Sequence, residues 1–263
     1  MKKGAAMNIF LSDLDNTLIY SHRHRLSGKK RVSEYLDGRE QSYITEKTLL
    51  LLRTFCSIEG NVLVPLTTRT CKQYSRLRPL TELLGIRYAL ISNGAVLLEN
   101  GRPDTSWEEE SKRLAEPYSD RLIRCRDIIS RFTDESHVHY IEPYMVYCRP
   151  ADAEKTLTAL KSELDTTGLS VIFSSGKLYC LPECLSKGEA AKRLIKRIGG
   201  QEARVISAGD SEFDIPMLRE SDISFVPEKM KRLPDDLEGC IKISGIFSNG
   251  LCERLIRLPQ REK

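Results

Sequence analysis

NIFLSDLDNT, residues 8–17, joins a short apolar run to two acidic residues at its end. An apolar run of this length between polar residues is typical of a buried strand. Side chains two positions apart on an extended chain point to the same side, so we expect Asp13 and Asp15 to lie side by side where the strand ends. Two carboxylates at this spacing repel each other unless a proton or a cation lies between them, and Mg²⁺ prefers such oxygen ligands. The alternative is a solvated turn built from Asp and Asn.

Strand and helix patterns alternate along most of the chain. The predicted elements are strands at 8–14, 61–66, 88–91, 204–208 and 223–226, and helices at 45–57, 70–84, 186–198 and 215–220. Repeated units of strand and helix form parallel sheets with helices on both faces. The sequence therefore predicts an α/β fold with a doubly wound, Rossmann-like parallel sheet.

Residues 95–184 interrupt this alternation. They contain predicted helices at 119–132 and 151–164 and predicted strands at 137–149, 169–173 and 177–181. We expect an inserted α+β domain over 95–184, between the two parts of a core at 1–94 and 185–263. In the first part, Asp37-Gly38 lies between two alternating runs and predicts a hairpin at 30–44.

An acidic loop, GDSEFD at 209–214, directly follows one predicted strand. Open α/β sheets bind their ligands at the carboxyl ends of their strands, which makes Asp210 a candidate ligand-binding residue. The alternative is an ordinary helix start, with Asp214 as the N-cap before Pro216.

Thr67-Thr68-Arg69 follows another predicted strand. A hydroxyl, backbone amides and a guanidinium before a helix start suit a phosphate oxygen. The alternative is that Thr68 or Thr70 only caps the helix.

Lys187 lies at the first position of the helix that Ser186 and Glu189 cap. The helix dipole opposes a cation at this end, so we expect an anion close to Lys187, with Asp13 as the candidate. We also expect its replacement by Met to reduce activity with little change in stability. The alternative is a side chain that extends into solvent.

An Asp pair, a Thr, a Lys and an acidic loop, in this order and each at a strand end or helix start, resemble the phosphohydrolase signature of the haloacid dehalogenase-like (HAD) superfamily. The resemblance covers about residues 7–94 and 185–258, and Ser92-Asn93-Gly94-Ala95 resembles the entry to a type II cap domain. The chain is most similar to the subgroup that contains sucrose-phosphate phosphatase and the Cof-type phosphatases.

This resemblance implies a Mg²⁺-dependent phosphatase that hydrolyses a small organic phosphate monoester, such as a sugar phosphate, through an aspartyl-phosphate. It implies that Asp13 is the nucleophile and Asp15 the general acid and base. The implied Mg²⁺ ligands are Asp13, the backbone carbonyl of Asp15, Asp210 and, as a ligand or a supporting partner, Asp214. The implied phosphate and substrate residues are Thr67, Thr68, Arg69, Asn93 and Lys187.

Two positions depart from the superfamily pattern. Phe213 stands where many type II members have Asn, and Thr68 stands where Gly is usual. Two other functions also remain open. A phosphosugar mutase shares this fold and nucleophile, and a non-catalytic phosphate-binding module is the third candidate. Release of free phosphate distinguishes a phosphatase from both.

Composition limits the partners. The 263 residues include 41 Lys and Arg against 37 Asp and Glu, without the strongly basic character of a nucleic-acid-binding protein. No run approaches the ~20 apolar residues of a membrane span, and MKKGAAMNIF lacks the apolar run of a secretory signal. We expect a cytoplasmic monomer that acts on a small phosphorylated metabolite, without nucleic-acid or membrane partners. Candidate substrate contacts in the insert, each of which can also face water, are His137, His139, Arg149 and Lys177.

Overall fold

The computed structural model of the protein describes residues 7–174, 176–198, 203–230 and 233–259. Its central sheet consists of five parallel strands, in the spatial order Ile241–Ile243, Ile223–Pro227, Arg204–Ala208, Asn8–Ser12 and Asn61–Pro65. A backbone bridge between Leu66 and Leu90 connects this sheet to the strand Tyr88–Ile91. The strand that precedes the Asp pair therefore has a parallel neighbour on each side.

Helices cover both faces of the central sheet. They are Glu46–Ser57, Cys71–Tyr74, Arg78–Leu84, Lys187–Ile198, Ile215–Arg219 and Phe247–Ile256. Phe10 packs with Leu52 and Leu251 on one face, whereas its neighbours Ile9 and Leu11 pack in a second cluster on the other face. Burial of both faces is typical of a parallel sheet in a doubly wound fold, and the predicted fold class is confirmed. Within the described ranges, no helix has both the length and the apolar character needed to cross a membrane.

The prediction of one continuous helix over 70–84 is wrong. The helices Cys71–Tyr74 and Arg78–Leu84 are separated by a short 3-10 turn. Pro79 lacks a backbone N–H, so a helix continued from Cys71 would lose a hydrogen bond at this position, whereas the first turn of a new helix tolerates proline.

The predicted hairpin is present, with strands Lys30–Leu36 and Arg39–Thr45 and the short strand Tyr20–Ser21 beside them. Register shifts on both sides of Glu34 interrupt the alternation of inward and outward side chains. Ser33 and Glu34 are consequently both buried, although they are adjacent. The bulge thus turns an acidic side chain toward the interior.

The insert contains its own sheet of four antiparallel strands, in the order Leu169–Ser174, Lys177–Pro182, Met145–Cys148 and Val138–Ile141. Two helices, Ser119–Ser130 and Ala153–Glu163, pack on one face of this sheet. We refer to these strands and helices as the cap. The single strand predicted at 137–149 is wrong, because it is a pair of strands that turn at Pro143, which cannot donate a hydrogen bond within a sheet.

The first part of the predicted insert packs with the core. The strand Val96–Glu99 pairs with Tyr88–Ile91 and with the short strand Arg102–Pro103. Trp107, in the helix Thr105–Ala115, is buried in the same cluster as the core strand residues. This packing favours an insert smaller than 95–184 that begins after this helix, and the limits of the insert stay a prediction.

Candidate active site

Lys187 connects two carboxylates at the carboxyl end of the central sheet. Its Nζ atom lies 2.7 Å from Oδ1 of Asp13 and 2.6 Å from Oδ1 of Asp214. Lys187 is only 1% exposed and Asp214 is fully buried. Burial alone would lower the pKa of Lys187, but the charges of Asp13 and Asp214 outweigh burial and raise that pKa above its ordinary value. The solvent-exposed alternative for Lys187 is therefore wrong.

Asp214 holds the acidic loop in place. Its Oδ2 atom accepts hydrogen bonds from the backbone N–H of Asp210, the backbone N–H of Ser211 and the hydroxyl of Ser211, at 2.9 to 3.0 Å. A Cβ atom at Gly209 would lie 2.2 Å from the Cβ of Asp214, so this turn requires glycine. Because both oxygens of Asp214 already have partners, its main effect is to orient Asp210 and Lys187.

Three carboxylates form a cluster that fits a divalent cation. Asp13, Asp210 and Asp214 each offer an oxygen, and these oxygens lie within 4.8 Å of one another. Burial, reinforced by Asp214 and opposed by Lys187, raises the pKa of Asp13 to about 7. Burial and then the charge of Asp13 raise the pKa of Asp210 to about 8. Such crowding disfavours the charged forms unless a cation compensates them, and a set of oxygen ligands suits Mg²⁺.

Asp15 belongs to a different ion-pair network. Arg69 binds it through two hydrogen bonds, from Nε to Oδ2 at 2.7 Å and from the second terminal nitrogen to Oδ1 at 2.8 Å. The same guanidinium donates to Glu34 of the hairpin at 3.0 Å, and Arg76 pairs with the other oxygen of Glu34 at 3.3 Å. A bidentate pair of this kind fixes the orientation of the carboxylate. In this arrangement Arg69 therefore orients the carboxylate of Asp15, whereas the sequence suggested it as a phosphate ligand.

Of the other predicted site residues, Thr67 and Asn93 are buried in the protein, whereas Thr68 lies at the cavity surface. Thr67 is buried, and its hydroxyl accepts a hydrogen bond from the backbone N–H of Arg69 at 3.2 Å, while Thr68 lines the cavity described below. Asn93 is buried and donates to the carbonyl of Leu185 at 3.0 Å. It does not line the cavity, and its hydrogen bond connects the end of the strand Tyr88–Ile91 with the segment that precedes the helix Lys187–Ile198.

The site opens into a cavity of about 350 Å³ that core and cap residues line together. From the core come the carboxylates, Lys187 and Arg69. From the cap come Tyr147, Arg149, Ser174, Lys177 and Tyr179. Of the four candidate contacts in the insert, Arg149 and Lys177 line this cavity, whereas His137 and His139 do not.

Two residues that shape the site, Glu34 and Phe213, have no role assigned from the sequence alone. Glu34 enters it only because the bulge reverses its direction, a change that the alternating pattern does not show. Phe213 packs edge to face on Tyr179 of the cap, with ring centroids 4.7 Å apart. The sequence signal that could have indicated this contact is the presence of an aromatic residue, Phe213, within an otherwise acidic loop.

A sequence model of the sucrose-6F-phosphate phosphohydrolase family matches residues 6–232. No curated protein sequence matches the chain significantly. Among solved structures, the sucrose-phosphatase from Synechocystis sp. PCC6803, in complex with sucrose and phosphate, has a TM-score of 0.63 and 17% identity, and the alignment covers 95% of this chain and 97% of that chain.

Two further structures have the same fold. The C-terminal domain of the C. albicans trehalose-6-phosphate phosphatase has a TM-score of 0.60 and 14% identity, over 95% of this chain and 94% of that chain. The HAD subclass IIB sugar phosphatase BT4131 has a TM-score of 0.62 and 16% identity, over 95% of this chain and 98% of that chain. With the family match over most of the sequence, these findings show that the chain belongs to the sucrose-6F-phosphate phosphohydrolase family, whose members are HAD-type phosphoric monoester hydrolases.

Proposed function

We propose that this protein is a Mg²⁺-dependent phosphatase that hydrolyses a sugar phosphate through an aspartyl-phosphate on Asp13. The observation that carries the proposal is the contact of Lys187 with Asp13 and Asp214, beside a cavity that Asp13, Asp15 and Lys187 line. A buried ammonium beside a carboxylate at a strand end can neutralise charge on a phosphoryl group that this carboxylate attacks.

In the first step an oxygen of Asp13 attacks phosphorus, the bond from phosphorus to the sugar oxygen breaks, and Asp15 gives its proton to that oxygen. In the second step Asp15 takes a proton from water, and the water oxygen attacks the phosphorus of the aspartyl-phosphate. Phosphate leaves and the Asp13 carboxylate is restored. The same residue therefore serves as acid and then as base.

Arg69 orients Asp15 for this exchange. Its guanidinium binds both oxygens of Asp15, and a bidentate pair of this kind fixes the position of the carboxylate at the cavity.

Mg²⁺ would be held by Asp13, Asp210 and the backbone carbonyl of Asp15, with Asp214 supporting the loop that carries Asp210. The ion would supply positive charge that draws electron density from the phosphoryl oxygens and offsets the crowded carboxylates. Thr67 and Lys187 would bind the phosphoryl oxygens, with Thr68 at the cavity wall. Asn93, placed beside Leu185, would position the crossing to the cap without touching substrate.

A sugar as the leaving group has support from the cavity and from the relatives. Tyr147 and Tyr179 lie with their ring centroids 5.5 Å apart on the cap side of the cavity, and flat aromatic faces suit the apolar side of a sugar ring. Ser21, Gln73 and Ser174 add hydrogen-bonding groups for hydroxyls. The family is described as acting on sucrose-6F-phosphate, and the similar structures include phosphatases of trehalose-6-phosphate.

The test is phosphate release from a panel of sugar phosphates by metal-stripped protein with increasing Mg²⁺. We expect release that depends on Mg²⁺ and is absent from the Asp13→Asn variant. Transfer of the phosphoryl group to another sugar, without free phosphate, would instead indicate the phosphosugar mutase. Binding of phosphorylated sugars without any turnover would indicate the non-catalytic module.

A further inference from the structure

Two cations of the cap face the catalytic residues from across the cavity. In the cap sheet, Tyr147 pairs with Tyr179 and Cys148 pairs with Leu178. The register, continued by one residue, places Arg149 opposite Lys177. Arg149 is two positions from Tyr147 and Lys177 two positions from Tyr179, so all four side chains share the face that lines the cavity.

Within the described ranges of the chain, neither cation forms an ion pair with a carboxylate, although the charge of Asp15 acts on Lys177 from a longer distance. The carboxylates of the cavity have cationic partners or belong to the Asp cluster. Asp15 is bound by Arg69, Glu34 by Arg69 and Arg76, and Asp13 by Lys187. Lys177 instead lies over the ring of Tyr147, at 5.3 Å from its centroid.

Like charges on opposite residues of an antiparallel pair destabilise a sheet. Burial and then the nearby charge of Arg149 hold the pKa of Lys177 below its ordinary value. An anion between the two side chains would reverse this effect, and it would replace repulsion by two charge-assisted hydrogen bonds. The cavity therefore has a second place for negative charge, on the cap side.

We propose that Arg149 and Lys177 bind a second anionic group of the substrate, a phosphate or a carboxylate, so that this enzyme prefers sugar phosphates with an additional anionic group over those that carry only the phosphate that is removed. The inference rests on the proposed function, because it concerns the same cavity. It adds a criterion for the substrate that the family description does not contain, since sucrose-6F-phosphate carries no acidic group besides the phosphate that is removed.

The experiment compares pairs of substrates that differ only in the second anion. Phosphogluconate is compared with glucitol phosphate for a carboxylate, and fructose bisphosphate with fructose monophosphate for a phosphate. We expect kcat/KM to be about tenfold to a hundredfold higher for the anionic member of at least one pair, as for a charge-assisted contact. The substrate pair with the larger ratio of kcat/KM values identifies the preferred anion as a carboxylate or a phosphate. The preference should decrease as salt is added.

Variants assign the preference to the two residues. Lys177→Met and Arg149→Met should each reduce the ratio, and the double variant should bring it close to one. Lys161→Met, an exposed lysine on the cap helix Ala153–Glu163, is the matched control and should keep the wild-type ratio. Equal kcat/KM values within both pairs, or a preference that survives in the double variant, would overturn the inference.

A binding measurement keeps this test separate from the proposed function. Calorimetry with the Asp13→Asn protein and Mg²⁺ gives the affinity ratio of each pair without turnover. We expect the anionic member to bind about tenfold more tightly or better. Equal affinities or no binding would overturn the second anion site. Absence of phosphate release from wild-type protein with every substrate, including p-nitrophenyl phosphate, would refute the phosphatase proposal alone.

Discussion

Replacement of Lys187 by Met removes the ammonium and keeps most of the side-chain volume. In the structure this ammonium is almost completely buried between Asp13 and Asp214, at 2.7 and 2.6 Å. Removing one partner of a buried ion pair costs about 3 to 5 kcal/mol, because a charge is left buried without compensation. Here two carboxylates lose their partner. We therefore expect the free energy of unfolding, measured by urea denaturation in a chelator, to fall by about that amount.

This expectation reverses the one drawn from the sequence, which foresaw little change in stability. The sequence showed only an unfavourable helix dipole, whereas the structure shows two ion pairs that outweigh it. Mg²⁺ at the carboxylate cluster should restore part of the lost stability in the Met variant, because the ion replaces some of the missing positive charge. Turnover should fall by on the order of 10² to 10³, as for other preorganised charges that stabilise a transition state.

Lys192→Met is the matched control, since Lys192 lies on the same helix and pairs with Glu189 and Glu220 at the surface. Exposed pairs of this kind contribute at most about 1 kcal/mol, so the control should unfold near the wild-type midpoint with wild-type kcat. A Lys187→Met protein that matched the control in both urea midpoint and kcat would refute the reasoning about the buried ammonium.

Three further changes have defined outcomes. Asp13→Asn should abolish phosphate release because the nucleophile is lost, and its circular dichroism spectrum should be unchanged. Phosphate release above that of a blank with substrate and no enzyme would contradict this role. Glu34→Gln keeps the side-chain size but weakens the ion pairs with Arg69 and Arg76. Arg69 would then hold the general acid Asp15 less well, so kcat should fall by about tenfold with KM less affected. An unchanged kcat would show that Glu34 does not support catalysis. Asp104→Ala removes the N-cap of the helix Thr105–Ala115 and an ion pair with Arg197, so thermal denaturation should show a loss of about 1 kcal/mol with unchanged kcat/KM. Equal stability would contradict a stabilising role for this cap.

The sequence predicted the core of the site because its signals are local. Each of Asp13, Lys187 and Asp210 follows a strand or begins a helix, and parallel strands bring their carboxyl ends to one edge. The contact between Lys187 and Asp13, separated by 174 positions in the chain, follows from that topology. Local pattern and sheet geometry together thus suffice for these residues.

Other parts of the site depend on contacts that no local pattern contains. The chemistry of Arg69 suggested a phosphate ligand, but its guanidinium binds Asp15 and Glu34, and the second partner arrives from a bulged hairpin. Asn93 illustrates the same limit, because its amide nitrogen donates to a carbonyl 92 positions away. Polar residue types indicate what a side chain can bind, whereas the partner that it does bind depends on the tertiary arrangement.

Covalent transfer of the phosphoryl group to Asp13 is the central step of the proposed function, and the Asp15→Asn variant with p-nitrophenyl phosphate tests this step most directly. Nitrophenolate leaves without a proton, so the first step does not need Asp15, whereas attack of water on the intermediate does. We predict a Mg²⁺-dependent burst of nitrophenolate equal to the amount of enzyme, and, after acid quench and peptide mapping, one phosphoryl group on the peptide that contains Asp13. Steady release without a burst, or a phosphoryl group on any other residue, would contradict the account.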